Sequence, residues 1–581
     1  MGLFTFSSML TLSIVFFADV LALPPPAVTC RSGNSNCTIS GTYGTWPDRS
    51  TCKAAQVFYP ASEQQIVDAV AFGVRNNMKM KVVTRLSHSI PKLVCPGGDQ
   101  GLVISTKNYS RGIVIDRAAM TVTVDSGVEL RNFVDTLASS QLAFPQSSYW
   151  SGVTIGGLLS TGAHGSSLRD LGSAVHEYVT SIRLVVPASP AEGYAKVLTF
   201  TQASEDLDAV KVSLGVLGVL SKITLKVEPM FKRSVTNTMR SDSDLEDQVA
   251  TFANGNDYGD ITWYPSMNQA VYRIDQRVPS IVPGNGVNDF IGFQPTAVLI
   301  SQATRTTERV FEFTRDTQGT CNRARLQAFT LWTTGYGLKN NGVLFTGYPL
   351  IGNQNRIQTS GTCYNSSSSL FTCPWDPSID GLFFHQTTIS IALERSRDFI
   401  LDVKRLRNAT LNGLCGPDGY SGSLMRYVKK SSAYLGKPED SVDIDVTYYR
   451  ADDANTPRLN EDVLEELEQM AVFKYQGTPH WGKNRNVAFV NASRKYPNLP
   501  KFLDAKKRLD PNGLFSSEWS DLVLGVTTAG LTSDKDHCAL EGLCICSSDR
   551  HCAPERGYFC RPGRVFQQAR VCRFEELLSV E

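Results

Sequence analysis

Cysteine is the residue type that most constrains how this chain folds. The sequence contains 14 cysteines, an even number. Six of them fall in one stretch near the C-terminal end, at Cys538, Cys544, Cys546, Cys552, Cys560 and Cys572. A clustered, even set of cysteines is typical of a small module held together by disulfides in an oxidising compartment. We therefore predict a Cys-rich disulfide module over residues 538–572, with its bridges closed within the module.

The alternative interpretation of the same stretch is a zinc site. Its ligands would be Cys544, Cys546, His551 and Cys552. The paired C-x-x-C spacing of structural zinc sites is absent, so we predict no metal. Six cysteines can pair in too many ways for the connectivity to follow from the sequence.

The N-terminal stretch predicts secretion. Residues 3–20 are mostly apolar and are followed by Leu21-Ala22, which offers the small residue of a cleavage site. We predict a signal peptide over residues 1–22 and a secreted, extracellular protein of the cell wall or vacuole. An uncleaved anchor is the alternative, because the stretch begins without Lys or Arg, although Pro24 to Pro26 would end a continuing helix. Five N-x-S/T sequons agree with secretion, at Asn36, Asn108, Asn365, Asn408 and Asn491.

Composition limits the class of partner. The 581 residues include 57 Lys+Arg and 56 Asp+Glu, so the chain is not built to neutralise a nucleic acid. With 42% hydrophobic and 19% charged residues, it is not a disordered chain either. No segment after residue 22 is long and apolar enough to span a bilayer. A small, neutral molecule is therefore the expected partner.

Periodicity predicts mixed α/β structure after a short N-terminal segment, residues 23–52, that carries three cysteines. Ser62-Glu63-Gln64-Gln65 is a capping box that begins a helix. Strand and helix patterns then alternate as far as Pro229. We place one domain at residues 53–230 and a second at 231–525.

Two loops of the first domain carry the residues that favour ligand binding. One contains Ser87-His88-Ser89, and the other runs from Gly152 to Ser166 with five glycines in fifteen residues. Such a run lets backbone N–H groups approach an anionic group, but a tight structural turn explains the glycines equally well. It is neither a G-x-G-x-x-G dinucleotide motif nor a phosphate-binding Gly-Lys-Ser/Thr loop.

Four motifs in order carry a family resemblance. They are Arg85-Leu86-Ser87-His88-Ser89, the run from 152 to 166, His480-Trp481-Gly482-Lys483, and Leu509-Asp510-Pro511-Asn512-Gly513-Leu514-Phe515. Together they resemble the aldonolactone and alditol oxidase branch of the vanillyl-alcohol oxidase / p-cresol methylhydroxylase superfamily, and with the N-terminal stretch and Cys-rich tail they resemble its plant L-gulono-1,4-lactone oxidases. The resemblance implies an α+β fold: a two-subdomain FAD-binding domain of the p-cresol methylhydroxylase type, an α+β substrate (cap) domain with an antiparallel sheet, and the small C-terminal module.

The resemblance also implies how FAD is held. The histidine that matches His88 is bonded covalently to FAD in this family, with Ser87 and Ser89 beside it. The amides of a second segment would face the pyrophosphate and flavin edge. The residues implied are Gly152, Thr154, Ile155, Gly156, Gly157, Gly162, His164 and Gly165, with Gly218 from a third segment at the end of a helix. For His164, holding the loop is as good an interpretation as touching the cofactor. No Cys lies between Phe144 and Gly157, so a single covalent bond is expected.

The substrate pocket follows from the same resemblance. Lys483 would reach the substrate oxygens, with His480 beside it, and Arg426 would match the arginine of a Glu-x-Arg pair. The carboxylate position of that pair is Leu424, and a nearby family histidine position is Asp445. We therefore expect the polyol-binding half of the pocket to be altered.

The implied reaction is oxidation of L-gulono-1,4-lactone, or a related aldonolactone, at C2. The 2-keto lactone would tautomerise to L-ascorbate, and O2 would be reduced to H2O2. The alternatives are a secreted carbohydrate or alditol oxidase, a lactone dehydrogenase, and a catalytically weak flavin-fold protein that interacts with the cell wall.

Overall fold

The chain is described from a computed structural model that covers residues 27–40, 51–84, 91–366, 368–376, 378–527 and 531–576. The predicted signal peptide lies outside the described residues. All 14 cysteines are described, and all form disulfides. Three sheets organise the body of the protein.

The first sheet combines an N-terminal hairpin with three parallel strands. Ser62 caps the crossover helix α1 (Glu63–Arg75), since its side chain accepts the N–H of Gln65 at 3.2 Å, as the sequence predicts. The strands are β1 (Val28–Ser32), β2 (Ser35–Ile39), β3 (Cys52–Phe58), β4 (Met80–Val83) and β5 (Leu102–Ser105), in the order β1-β2-β3-β5-β4. Antiparallel pairing of β2 with β3 joins the hairpin to the sheet, while disulfide Cys30–Cys37 closes the hairpin and Cys52–Cys95 ties β3 to the segment before β5. The N-terminal segment is therefore continuous with the first sheet.

The second sheet is antiparallel and packs on α1. Its strands are β6 (Ile113–Asp116), β7 (Thr121–Asp125), β9 (Val179–Pro187), β10 (Ala195–Thr201) and β11 (Val219–Lys226), in the order β10-β9-β11-β7-β6. A small pair joins β8 (Leu142–Ala143) to β12 (Glu228–Pro229). Helices α2 (Leu130–Ser139), α3 (Ile155–Ser160) and α4 (Leu207–Val210) lie in the connections. The apolar stripe of α2 (Leu130, Phe133, Val134 and Leu137) is buried, as its spacing predicts.

The third sheet has eight antiparallel strands and forms the cap. Their order is β19-β13-β15-β14-β22-β23-β21-β24. The strands are β13 (Lys232–Ser241), β14 (Asp260–Tyr264), β15 (Gln269–Val278), β19 (Leu350–Asn353), β21 (Phe384–Ala392), β22 (Ser423–Val428), β23 (Ser441–Tyr449) and β24 (Thr478–Pro479). Two short pairs join β16 (Val287–Asn288) to β18 (Leu338–Lys339) and β17 (Thr296–Ala297) to β20 (Phe371–Thr372).

Helices cover the cap sheet and return the chain to the first domain. They are α5 (Leu245–Phe252), α6 (Val298–Thr314), α7 (Thr317–Thr333), α8 (Gln354–Ile357), α9 (Leu393–Ala409), α10 (Cys415–Asp418), α11 (Glu461–Gln469), α12 (Asn486–Phe489), α13 (Leu499–Leu509) and α14 (Glu518–Val523). The predicted closing motif 509–515 follows α13 and packs on the first sheet, where Met80 N–H donates to the Leu514 carbonyl at 2.7 Å.

The C-terminal module is closed by its own disulfides, as predicted. The pairs are Cys538–Cys544, Cys546–Cys560 and Cys552–Cys572, around strands β25 (Tyr558–Pro562) and β26 (Arg570–Phe574). Because these six sulfurs are paired, the zinc interpretation is wrong.

The module is docked on the cap rather than tethered loosely. Every residue of the acidic helix α11 is buried, and the helix lies between the cap core and the module. The Glu466 carboxylate accepts backbone N–H groups of Arg564, Val565 and Phe566 at 2.6–2.8 Å. These three N–H groups occupy lone pairs of the buried carboxylate that water would otherwise fill. The module thus supplies the donors that allow an acidic helix to be buried.

The asparagines of all five sequons lie exposed on the surface. Among the described residues, no helix has the length and apolar character needed to cross a membrane.

Candidate active site

The glycine-rich segment folds as a short helix with a tight turn after it. Thr154 caps α3, and its side chain accepts the N–H of Gly157 at 3.3 Å. The N–H groups of Ile155 and Gly156 donate to carbonyls of residues 128 and 126 at 2.9 and 2.8 Å. Each of these three amides therefore has a partner inside the protein, and the expectation that the segment holds FAD stays a prediction.

The glycines instead allow close packing. A Cβ atom at Gly156 would lie 3.0 Å from the Ser126 carbonyl oxygen, and one at Gly165 would lie 2.8 Å from that of Ser147. A Cβ atom at Gly152 would lie 2.5 Å from the Trp150 ring. Larger residues would push these neighbours apart, so the segment is fixed against the strands around it.

Unpartnered polar atoms surround the same segment. Ser126 Oγ, Ser147 Oγ and His176 Nδ1 are buried, and none has a hydrogen-bond partner in the part of the chain that the structure describes. Ser126 and Ser147 contact the glycine segment as above, and His176 Cε1 lies 3.9 Å from the Cβ position of Gly162. Buried polar groups are normally hydrogen-bonded, so this arrangement fits a polar ligand such as FAD.

Gly218 lies between a helix and a strand rather than at the end of a helix. Helix α4 ends at Val210, well before Gly218, which leads into β11 with φ 141°. Its Cβ position is 2.4 Å from the Val185 carbonyl oxygen, so close packing requires glycine. The predicted position at the end of a helix is wrong, because the helix after residue 206 is only four residues long.

His164 joins the glycine segment to the cap. Its Nε2 lies 2.6 Å from Asp443 Oδ2, and both side chains are fully buried. Its Nδ1 lies 2.9 Å from the Gly165 carbonyl oxygen. Burial lowers the pKa of His164, and the Asp443 carboxylate acts in the opposite direction. Lys437 Nζ lies 3.7 Å from the other oxygen of Asp443 and helps to hold the pKa of that carboxyl well below its usual range.

Replacing Asp443 with alanine is expected to destabilise the protein by about 3–5 kcal/mol, the cost of leaving one partner of a buried charged pair alone. The change removes the carboxylate that both His164 and Lys437 face. Urea unfolding followed by tryptophan fluorescence measures the loss. Asp247→Ala is the matched control, since the Asp247–Arg397 pair is exposed on both sides and should contribute less than about 1 kcal/mol. Equal unfolding midpoints for the two variants would contradict the assignment.

Strand β22 carries Arg426 onto the same junction. Arg426 Nη1 donates to the His164 carbonyl at 3.2 Å, and Ser167 N–H donates to the Tyr427 carbonyl at 2.9 Å. The Ser166 hydroxyl accepts the Tyr427 N–H at 3.0 Å. The cap sheet therefore meets the glycine segment directly beside Arg426.

Arg426 and Lys483 share one carboxylate. Arg426 Nε and Nη2 donate to Asp445 Oδ2 at 2.9 and 2.5 Å, and Lys483 Nζ donates to Asp445 Oδ1 at 2.9 Å. The Thr388 hydroxyl also donates to Oδ1. The side chains of Arg426 and Asp445 are 6% and 5% exposed, whereas that of Lys483 is 20% exposed. Lys483 is therefore the cation of the cluster that is most open to an incoming molecule.

The strand register explains how these groups meet. Leu424 lies opposite Asp445 on β23, and Asp445 lies opposite Thr388 on β21. Directly opposed residues of an antiparallel pair share a face, so all three face the same side of the sheet. The strand that carries Arg426 does lack a carboxylate at Leu424, but the neighbouring strand supplies one at the opposed position.

The His480-Trp481-Gly482-Lys483 turn is held by its own groups. The Gly482 N–H donates to His480 Nδ1 at 3.1 Å, and Trp481 Nε1 donates to the Leu435 carbonyl at 2.8 Å. Since Nδ1 accepts, a neutral His480 carries its proton on Nε2. Burial and the nearby Lys483 ammonium hold the pKa of His480 well below its usual range. His480 is thus a neutral donor, with its ring centre 5.5 Å from that of His164.

Electrostatics in the cluster follow from burial and pairing. Burial lowers the pKa of Lys483, and Asp445 opposes that shift. Burial opposes ionisation of Asp445, but Arg426 and Lys483 outweigh it and hold the pKa of that carboxyl below its usual range. Two cations against one carboxylate leave an excess of positive charge in the cluster. Such a site stabilises negative charge that develops on a bound hydroxyl.

The structure brings together some of the predicted residues and leaves others out. Arg426, Lys483, His480 and His164 meet at one junction. Ser87, His88 and Ser89 lie outside the described residues. Sequence reasoning missed Asp443 and noted Asp445 only as a departure from the family pattern. The signal for both is an Asp-x-Asp pair inside an otherwise uncharged strand.

Comparisons with known proteins agree with this architecture. Residues 54–189 match the FAD binding domain family, residues 423–523 match D-arabinono-1,4-lactone oxidase, and residues 535–574 match the L-gulonolactone oxidase 2-like C-terminal domain. L-gulonolactone oxidase 3 of Arabidopsis thaliana is 52% identical over 95% of this chain and 94% of its own length. L-gulonolactone oxidase 2 of the same plant is 51% identical over 96% and 95%.

A solved structure has the same fold. Cholesterol oxidase from Brevibacterium sterolicum superposes with a TM-score of 0.61 at 15% identity, over 87% of this chain and all of its own.

The fold and the site define an FAD-dependent oxidoreductase with a p-cresol methylhydroxylase-type FAD-binding domain. Within that class, the chain belongs to the L-gulonolactone oxidase family, since about half of its residues are identical to those of members along nearly its whole length. The predicted family and fold class are confirmed.

Proposed function

We propose that the protein oxidises L-gulono-1,4-lactone, or a related aldonolactone, at C2. The product is a 2-keto lactone that tautomerises to L-ascorbate, and O2 is the electron acceptor and yields H2O2. The observation that carries the proposal is the pair of cations, Arg426 and Lys483, anchored on Asp445 where the cap meets the FAD-binding domain. An uncharged polyhydroxy lactone offers the hydroxyl oxygens that such donors bind.

FAD, when bound, accepts the hydride from the substrate carbon. The residues that would hold it are Ser126, Ser147 and His176, whose buried polar atoms surround the glycine segment, together with a covalent bond from His88. Membership of an FAD-binding family supports the cofactor, and the covalent bond is a proposal that rests on the Ser87-His88-Ser89 motif.

The chain's own groups bind and polarise the substrate. Lys483 Nζ has three N–H groups and uses one on Asp445, which leaves donors for a substrate oxygen. Arg426 likewise retains N–H groups on Nη1 and Nη2. These donors stabilise the oxygen as its proton leaves, and the low exposure of Arg426 and Asp445 keeps water from competing. His480 contributes a neutral donor beside them.

Secretion is part of the proposal. Seven disulfides require an oxidising compartment, and the five exposed sequon asparagines can carry glycans. We infer an extracellular protein of the cell wall or vacuole.

Anaerobic flavin reduction tests the proposed function. The purified yellow protein is mixed with L-gulono-1,4-lactone, L-galactono-1,4-lactone, an alditol or a simple sugar, and the flavin absorbance is followed. We expect bleaching with an aldonolactone, and H2O2 release when air is admitted. If only the alditol or the sugar bleached the flavin, that compound and not the lactone would be the substrate. Bleaching by the lactone without peroxide, but with turnover on an artificial acceptor, would make the protein a dehydrogenase.

A further inference from the structure

Asp445 is the structural link between the two cations of the candidate active site. One of its carboxylate oxygens accepts both Arg426 contacts, and the other accepts Lys483 and Thr388. A carboxylate has about four lone-pair sites, so these contacts occupy it fully. Asp445 is therefore not itself a free ligand for substrate but fixes the two residues that are.

The position of Asp445 on the sheet makes this link rigid. It lies in the middle of β23, which is buried along its whole length and is hydrogen-bonded to β22 on one side and β21 on the other. Arg426 comes from β22, whereas Lys483 comes from the turn after β24. Asp445 thus joins Arg426 on β22 to a turn whose backbone is held on β21, where the His480 N–H donates to the Thr388 carbonyl at 3.1 Å.

We propose that Asp445 is the positioning residue that sets where Arg426 and Lys483 present their remaining N–H groups, and thereby which arrangement of substrate hydroxyls the pocket accepts. The inference rests on the proposed function for the identity of the substrate. Asp445 takes this place because Leu424, opposite it on β22, has no polar group.

Asp445 also maintains the charge of Lys483. The charged groups that face Lys483 are Asp445, Arg426 and Asp443, with the neutral His480 in the same turn. Burial and Arg426 lower the pKa of Lys483, and the two carboxylates raise it. Loss of the carboxylate nearest to Lys483 must therefore lower the pKa of Lys483 further. The protonated fraction of Lys483 would then begin to fall at a lower pH.

The test is Asp445→Asn, which preserves shape but removes the charge and turns an N–H group toward the cations. Anaerobic stopped-flow reduction gives the dissociation constant of L-gulono-1,4-lactone and the limiting rate of flavin reduction across a pH series, and steady-state turnover with the same lactone gives kcat/KM. We expect kcat/KM to fall roughly 10- to 100-fold, as for loss of a charge-assisted hydrogen bond. We also expect the alkaline limb of the limiting rate to move to lower pH, with flavin content unchanged.

A second variant separates positioning from general damage. Leu424 is half-buried and directly opposite Asp445, so Leu424→Glu in the Asp445→Asn background returns a carboxylate to the same face. We expect this double variant to move the alkaline limb back toward that of the unmodified protein. Asp440→Asn is the matched control and should leave the profile unchanged, because Asp440 is exposed just before β23 and its carboxylate accepts the Lys430 N–H, away from the cluster.

The outcomes distinguish the inference from the proposed function. An unmodified protein that is reduced by an alditol or sugar and not by lactones would overturn the proposed substrate, and the pH series would then be run with the active alcohol. An Asp445→Asn variant with unchanged kcat/KM and an unchanged alkaline limb would overturn the inference. If Leu424→Glu in the Asp445→Asn background did not move the alkaline limb back toward that of the unmodified protein, that result would also contradict the inference.

Discussion

Replacing Lys483 with methionine is expected to lower the limiting rate of flavin reduction roughly 100- to 1,000-fold, the effect of removing one donor that stabilises developing negative charge. Methionine keeps the length and apolar stem of the side chain while removing the ammonium. Lys483 is the cation of the cluster with the greatest exposure, so an incoming hydroxyl reaches it first. Stopped-flow reduction by L-gulono-1,4-lactone measures the loss.

Flavin content and folding should survive this change. Asp445 retains both Arg426 contacts on Oδ2 and its contact with Thr388, so no buried carboxylate is left alone. Lys430→Met is the matched control, because Lys430 is exposed at the end of β22 and takes no part in the cluster. A Lys483→Met protein that is reduced as fast as the control would remove Lys483 from the mechanism.

The pH dependence of the rate is a second measurement on the same variant. Burial lowers the pKa of Lys483 below its ordinary value, so the unmodified enzyme should lose activity as pH rises through that lowered pKa. The protonated ammonium is the active form, so the rate of flavin reduction falls on the alkaline side of the pH profile. Lys483→Met has no group to titrate there, and its low residual rate should be flat across the same range. A limb that persists in the variant would assign it to another group.

Local signals in the sequence predicted local structure well. The Ser62 cap and the apolar stripe of α2 both act within one or two helical turns, and the structure places them as predicted. The closed C-terminal module is another case, because its bridges span only 6, 14 and 20 residues. Each of these features depends on neighbours along the chain.

The active-site partners depend on pairings that the sequence does not encode locally. Asp445 meets Arg426 across 19 residues, Lys483 across 38 and Thr388 across 57. The Arg426 and Thr388 contacts follow from the register of three strands, and a shift of one residue would turn every side chain to the other face. From the sequence, Leu424 indicated a lost carboxylate. The sheet shows that the carboxylate comes from the opposed strand.

The glycine segment illustrates a different limit. Five glycines favoured an anion-binding loop and a structural turn equally, because both need backbone without side chains. The structure favours the structural turn, because the partners of these N–H groups lie inside the protein. Cofactor contact at this segment therefore depends on the side chains around it, such as Ser126 and Ser147.

Replacing His88 with alanine is expected to abolish acid-stable flavin entirely. In the unmodified protein, acid precipitation should leave a yellow pellet that fluoresces on a denaturing gel, since a covalent bond survives unfolding. In His88→Ala the colour should pass to the supernatant. The described chain supports this location: β4 ends at Val83, and the Thr84 methyl group lies 3.9 Å from the Cβ position of Gly157. Thr84, the last described residue before His88, thus lies beside the glycine segment.

A single attachment point makes the result decisive. Each of the 14 cysteines is paired in a disulfide, so no thiol is free to form a second bond to the flavin. His537→Ala is the matched control, because His537 lies at the start of the C-terminal module, with its Nε2 3.4 Å from Glu555, and should leave the covalent bond in place. Mass spectrometry of the flavin-bearing peptide identifies the attached residue directly. A colourless pellet from the unmodified protein would exclude covalent attachment, and a yellow pellet from His88→Ala would place the bond on another residue.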